Sequence, residues 1–310
     1  MAFTAADVKK LREMTNVGMM DCKKALTEAD GDFDKAIELL REKGLAKAAK
    51  KADRIAAEGV VCATVCDDCG VGAIIEVNSE TDFVAKNADF QQFVADLAGV
   101  VMKEAPADVE ALKACKMGDL TVQEVLQEKV LTIGENIQIR RFDRFDESTV
   151  NVAYTHMGGV IGVLVGLQVS DNLKGNATVK ELGKDIGMQA AAMNPSFMDK
   201  SEVDEATLAK EKEILLIQAL EENKNAAKPK PEQLIHKMVE GRIGKYYEEN
   251  CLLQQAFVKE NKVSVEQHIA AVAKELGGEI KLVKCVRFEK GEGIEKKQDD
   301  FAAEVASMAK

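Results

Sequence analysis

The chain has 310 residues, 42 of them basic and 53 acidic, with a net charge of −11, a length that allows about two or three domains. The acidic balance argues against a nucleic-acid binder, which needs a basic face for phosphates, and no apolar run reaches the roughly eighteen residues of a membrane span. An odd set of 7 scattered cysteines suits free thiols in a reducing cytoplasm better than a disulfide framework.

Met1-Ala2-Phe3-Thr4 lacks a basic start followed by an apolar block, so no export signal is expected. Thr4-Ala5-Ala6-Asp7 is a capping-box pattern that opens a helix with Val8 and Leu11 inward. Gly18 interrupts it, and Met19 to Leu26 reads as a second helix. Adjacent Met19 and Met20 cannot share one core, so one of them is expected to face out, as methionines at adaptable contact surfaces do. Asp30-Gly31-Asp32 is a turn and cap. Phe33, Ala36, Ile37 and Leu40 make a third amphipathic face, expected to end at Gly44. Lys43, Lys47, Lys50, Lys51 and Arg54 then lie in an Ala-rich stretch that reads as a solvated connector. Residues 1–54 are thus expected to form an N-terminal helical module.

Val60–Val65 and Val71–Val77 read as an antiparallel hairpin. Cys62, Cys66 and Cys69 have the only metal-like spacing. Cys66-Asp67-Asp68-Cys69-Gly70 fits a hairpin turn, and no fourth ligand is near in sequence, so no metal is expected there. After the second strand the chain exposes a polar stretch with an acid and an aromatic side by side, Asp82-Phe83, in what reads as a strand-to-helix loop. Folding does not ask for that pair at a loop tip; a rigidly framed charge beside a large ring is built to enter something else. Glu76, Glu80 and Asp82 have no histidine or nucleophile beside them, so they do not read as a hydrolytic site.

A helical pattern resumes near Ala88, and the chain beyond the N-terminal module repeats itself. Thr121 to Phe145 matches Ser264 to Phe288 without a gap at an offset of 143 residues; Gly72–Ile75 matches Gly162–Val165 at 90; Phe90, Phe93, Asp96 and Leu97 match Val179, Leu182, Asp185 and Ile186 at 89. Each half reads as hairpin, helix, helix, strand, the second hairpin being Val150–His156 with Val160–Val169. Gly158-Gly159 lacks the Gly-Lys-Ser/Thr of a phosphate loop, and His156 beside it reads by itself as a turn residue. The jump in offset places about 54 extra residues between Ile186 and Ser264. Charged Val203–Leu220, with apolar Val203, Leu208, Leu215 and Ile217, is followed by the helix-breaking Lys228-Pro229-Lys230-Pro231. The stripe Leu234, Ile235, Met238, Val239, Ile243 and Tyr246 comes next, so the insertion reads as a two-helix antiparallel arm for docking. Phe301, Val305 and Met308 suggest a short terminal helix.

The expected fold class is α+β. Residues 1–54 are the N-terminal module, 55–147 the first core half and 148–290 the second, with the coiled-coil insertion at about 190–248; residues 291–310 are a C-terminal helical module.

Several segments together resemble the elongation factor Ts family: Leu11 through Leu26, Glu76 through Lys86, Ile133-Gly134-Glu135-Asn136-Ile137, the Lys-Pro tip, and Gly291-Glu292-Gly293 with Asp300-Phe301-Ala302. Asn16 departs from the usual glycine, and the connection 250–262 is not matched. The resemblance implies a ubiquitin-associated-like N-terminal module, a duplicated core and an inserted coiled coil. It implies no enzyme activity and no cofactor. It implies instead a cytoplasmic guanine-nucleotide exchange factor that binds elongation factor Tu, GDP-bound and nucleotide-free, with a homodimer or 2:2 complex through the arm as an option. Thr81, Asp82, Phe83 and Val84 would dislodge the partner's Mg²⁺; Arg12, Met19, Met20, Ile133, Gly134 and His156 would support contact. Two rival readings stand beside it: an adaptor that binds only through its N-terminal helices, and a metal- or thiol-dependent enzyme using Cys62, Cys66 and Cys69.

Overall fold

The computed structural model describes residues 3–15, 17–225 and 230–295. Asn16, Lys228-Pro229, the segment from Lys296 through Asp300, and the expected terminal-helix residues Phe301, Val305 and Met308 lie outside that set. Helices α1 (Ala5–Thr15), α2 (Met19–Glu28) and α3 (Phe33–Lys51) pack around Val8, Leu11, Cys22, Ala25, Leu26, Ala36 and Leu40. Helix α3 does not end at Gly44, and the stretch expected as a connector is helical to Lys51. Gly44 is instead a buried interior position of α3, and a Cβ added there would sit 3.5 Å from Leu131 of the core, an ordinary packing distance, so the glycine is tolerated inside the helix rather than ending it.

The first core half comprises β1 (Glu58–Val65), β2 (Gly72–Ser79), α4 (Asp82–Ala85), α5 (Ala88–Glu104), α6 (Val109–Ala114), the two-residue strands β3 (Lys116–Met117) and β4 (Leu120–Thr121), α7 (Val122–Ile133) and β5 (Gln138–Phe145). The second comprises β6 (Val150–His156), β7 (Ile161–Val169), α8 (Ala177–Met193), α9 (Glu205–Lys224), α10 (Glu232–Asn250), β8 (Ala256–Phe257), β9 (Glu260–Ser264), α11 (Val265–Leu276) and β10 (Ile280–Glu289). Two three-stranded antiparallel sheets result, β1-β2-β5 and β6-β7-β10, with β3-β4 and β8-β9 as separate two-stranded ribbons.

The repeat extends to the hydrogen-bond register. Gly72, Ile75 and Val77 oppose Phe145, Phe142 and Ile139; Gly162, Val165 and Leu167 oppose Phe288, Cys285 and Leu282, the same offsets as in the sequence. Both closing strands carry a bulge at the same place, at Arg140 and Val283. Local signals repeat as well. Asn87 and Asn176 cap α5 and α8, and Thr121 and Ser264 open α7 and α11 with capping boxes completed by Glu124 and Gln267. Gly134 and Gly277 end these last two helices at φ 88° and 66°, where a side chain would be strained.

The sheets face each other across Val61, Ile74, Phe145 and Leu164. Contact is close because glycines interlock: a Cβ on Gly72 would lie 2.9 Å from Leu164, and one on Gly162 would lie 2.5 Å from Val61. Each outer sheet face is covered by helices, α5 and α7 over Ala73, Ile75 and Val77, α8 and α11 over Val163, Val165 and Leu167. Central β2 is buried along its whole length, including its polar residues Glu76, Asn78 and Ser79.

Helix α8 continues to Met193, so the inserted helices begin only at Glu205. They pack on each other through Ala219, Ile235 and Val239, and Arg242 pairs with Glu222. Ile217 and Leu234, expected in the inward stripe, are both exposed, together with Ile214 and Leu220. Two helices cannot bury apolar positions on every side, so these project outward. Among the described residues no helix is long and apolar enough to cross a membrane.

Candidate functional site

The Asp82-Phe83 segment is not a loop but one helical turn. Thr81 caps α4 by accepting from the Val84 amide at 3.4 Å, and Ala85 sinks into the first core with Val84 packed beside it. Asp82 at the N-terminus of the turn suits its unpaired amides. Rigidity reaches the turn from both sides. Strand β2 is buried up to Ser79, and a second chain segment grips the turn's entrance: the Glu135 carboxylate accepts from the Glu80 amide at 3.0 Å, the Thr81 amide at 3.0 Å and the Thr81 hydroxyl at 2.7 Å. The grip is reciprocal, because Glu80 Oε1 accepts from the Asn136 amide at 2.6 Å. Asn136 donates in turn to the Arg54 carbonyl at 2.7 Å, and Lys51 donates to the Gly134 carbonyl. The left-handed residue Gly134 reverses the chain after α7 and so delivers Glu135 to this position.

What this frame holds outward is Phe83, 82% exposed, the most exposed large apolar side chain among the described residues. Asp82 beside it bonds Lys86 Nζ at 2.6 Å; this hydrogen bond and the ammonium charge hold its carboxyl below the ordinary range, so the group is anionic at neutral pH. Between this turn and the N-terminal helices runs a groove of about 950 Å³, lined by Met14, Val17, Ile37, Phe83, Leu131 and Ile133.

The structure brings some of the expected site residues together and leaves others apart. Thr81, Asp82, Phe83 and Val84 form the turn, Ile133 lines the groove, and Gly134 anchors the grip. Arg12, Met19 and Met20 are exposed on the N-terminal helices and do not line the groove; both methionines face out, where the sequence leads one to expect a single outward methionine. Met14, an exposed methionine outside the expected set, lines it instead. His156 is exposed, with its Nδ1 3.1 Å from the Tyr154 hydroxyl. The turn after His156 bonds β1 through Gly159 O and the Val61 amide at 2.8 Å, near the end of β1 where Glu58 pairs with Ser79. The His156 turn and the Phe83 turn therefore share one end of the sandwich.

Glu76 is fully buried on the inter-sheet face, a position to which sequence reasoning assigns no role. It accepts from Arg140 at 2.9 Å, Arg141 at 2.6 Å, Asn78 at 3.1 Å and the Gly291 amide at 2.8 Å. The bulge at Arg140 lets two consecutive arginines reach one carboxylate. Gly291 lies against the Ala57 carbonyl with no room for a side chain, so this carboxylate ties the chain's last described segment to the base of the hairpin. A carboxylate at an inward position of an apolar strand, with Arg-Arg on a later strand, was the available signal. Among the described residues no group of three His, Cys, Asp or Glu side chains is placed to hold a metal.

The family model for elongation factor Ts matches residues 80–292, beginning at the gripped turn and ending at the segment tied to Glu76. Curated relatives named elongation factor Ts match nearly end to end. That of Clostridioides difficile (strain 630) is 50% identical over 309 residues, 99% of each chain; that of Clostridium perfringens (strain 13 / Type A) is 51% identical over 307 residues, 98% of each. That of a Nitratiruptor species is 47% identical over 312 residues, spanning both chains fully.

The chain belongs to the elongation factor Ts family.

Membership makes it a nucleotide-exchange factor for elongation factor Tu in translation elongation rather than a catalytic enzyme in the usual sense. It also displaces the adaptor and thiol-enzyme readings. Neither of them accounts for an exposed ring on a gripped turn.

Proposed function

We propose that the Asp82-Phe83 turn enters the nucleotide domain of elongation factor Tu beside its Mg²⁺ and phosphate site and drives GDP out. The observation that carries this reading is Phe83, exposed on a turn whose entrance is held by four hydrogen bonds to residues 135 and 136. An exchange factor must bind the nucleotide-free partner more tightly than the GDP-bound one, and by linkage it then weakens GDP by the same factor. Each tenfold of weakening requires about 1.4 kcal/mol of differential binding. Phe83 supplies part of it by filling an apolar slot available only after a partner helix moves. Asp82 supplies part by drawing on the Mg²⁺ shell, since the ion is the main counter-charge to the phosphates. Thr81 and Val84 fix the turn's two ends. Ile133, Gly134 and His156 contact the same domain, and Arg12, Met19 and Met20 reach it from the N-terminal helices, which we read as a ubiquitin-associated-like module.

The inserted arm reads as a coiled coil that docks on a further face of Tu or pairs with a second copy, its exposed Ile214, Ile217, Leu220 and Leu234 supporting a contact role. The exchange takes place in the cytoplasm. The deciding experiment is release of fluorescent GDP from Tu in the presence and absence of this chain; a release rate that does not rise sinks the reading.

Two smaller effects follow. Glu135→Ala removes the carboxylate that three donors at Glu80 and Thr81 share. Charge-assisted bonds of this kind contribute about 1.5–3 kcal/mol, so exchange efficiency is expected to fall roughly tenfold. Amide hydrogen exchange at residues 80–84 is expected to quicken while the rest of the chain keeps its protection; unchanged protection there would show that the grip is dispensable. For His156→Ala the expected loss is about threefold, seen as a raised concentration for half-maximal exchange, in keeping with a contact at the rim of an interface. An unchanged titration curve returns His156 to an ordinary turn residue.

A further inference from the structure

The turn joining β1 to β2 lies at the opposite end of the hairpin from Phe83: Val65 pairs with Gly72 there, whereas Glu58 pairs with Ser79 beside the functional turn. This turn is well fixed. The Cys66 amide donates to Val71 O and the Gly70 amide to Cys66 O, both at 2.9 Å, while Asn151 of the second core half holds Gly70 O at 2.8 Å. Within it the Cys69 amide donates to Cys66 Sγ at 3.2 Å, so the Cys66 sulfur lies directly against the Cys69 backbone. The first and fourth residues of a tight turn have Cα atoms within about 7 Å, close to the span a disulfide bridges. Cys69 is exposed and Cys66 partly so, while Cys22 and Cys251 are buried. Burial pushes the Cys285 thiol up to about 12, and Cys62 packs against the first core.

We propose that Cys66 and Cys69 form a solvent-facing dithiol that closes to a disulfide by exchange with a low-molecular-weight disulfide, independently of nucleotide exchange. Cys66 is the attacking group. Its Sγ accepts from the Cys69 amide, and hydrogen bonding from the Cys69 side chain and amide holds it below the ordinary thiol value against burial and the charge of Asp68, while the same interaction raises Cys69. In the first step the Cys66 thiolate bonds to one sulfur of the small disulfide and expels the other as a thiolate. In the second the Cys69 thiolate attacks Cys66 Sγ and expels the remaining small thiolate. The two protons given up by the cysteines go to the two leaving thiolates; the cysteines lose two electrons and the small disulfide gains them.

The test uses the reduced full-length chain and glutathione disulfide, followed by alkylation and mass analysis of the peptide holding residues 62–69. The expected product has lost two hydrogen masses, with Cys62 still alkylated. Cys69→Ser is expected to trap one glutathionyl group on Cys66, and Cys66→Ser to acquire its adduct on Cys69 more slowly. A lasting glutathionyl adduct on the unsubstituted chain, a disulfide that includes Cys62, a disulfide-linked dimer or no reaction overturns the proposal. An adduct forming as fast in Cys66→Ser as in Cys69→Ser overturns the assignment of Cys66 as the nucleophile. Stimulated GDP release is expected to be the same for oxidised and reduced protein, so this result stands or falls separately from the exchange reading.

Discussion

Phe83→Ala is expected to lower stimulated GDP release roughly ten- to a hundredfold while the melting temperature stays where it was. The size comes from burial: moving a phenyl side chain from water into an apolar slot is worth about 1.5–3 kcal/mol, and each 1.4 kcal/mol or so is a factor of ten. The unchanged stability comes from exposure, since the ring is 82% accessible in the free chain and its removal opens no cavity. Large apolar side chains are usually buried on folding; here the free protein keeps an aromatic ring in water, and on the proposed reading association recovers that cost. Stopped-flow release of fluorescent GDP at matched concentrations, with a thermal melt of each variant, gives both halves of the expectation. Wild-type exchange kinetics in a folded Phe83→Ala protein would refute the role given to the turn.

The second large effect concerns stability. Glu76→Ala leaves Arg140 and Arg141 without their buried partner and strands the Asn78 side chain and the Gly291 amide. Breaking a buried ion pair from one side costs about 3–5 kcal/mol, enough to lower the melting temperature by roughly 10 °C in a chain of this size. Arg141 also stacks on Phe288 and bonds Glu292 at 3.0 Å, so the loss spreads to the seam where the last described segment meets both sheets. Glu76→Gln keeps one oxygen acceptor and is expected to fall between the two. Denaturant unfolding of the three proteins settles the order, and an alanine variant as stable as wild type would show that the arginines find water instead.

These two residues differ in how far the sequence announces them. Asp82-Phe83 stands out because a ring beside a charge at a chain turn has no folding purpose, and that oddity is local. The hairpins, the paired helices and the two sets of repeated segments are legible for the same reason: strand alternation, helix periodicity, capping residues and glycine stops act within a few positions of each other. Gly44 reads wrongly as a helix end because a glycine in a helical pattern is either a stop or a tolerated interior residue. The packing of α3 on α7, far along the chain, carries the helix past it to Lys51.

The sequence alone therefore determined the doubled architecture and the unusual Asp82-Phe83 pair, since both rest on interactions spanning a few residues. The tertiary structure decided how that pair is held. Glu135 grips an entrance 54 and 55 residues away, Glu76 gathers donors up to 215 residues distant, and Met14 and Phe83, far apart in sequence, line one groove. Contacts of that reach depend on which surfaces the packed sheets and helices bring together, and no local pattern in the chain encodes them.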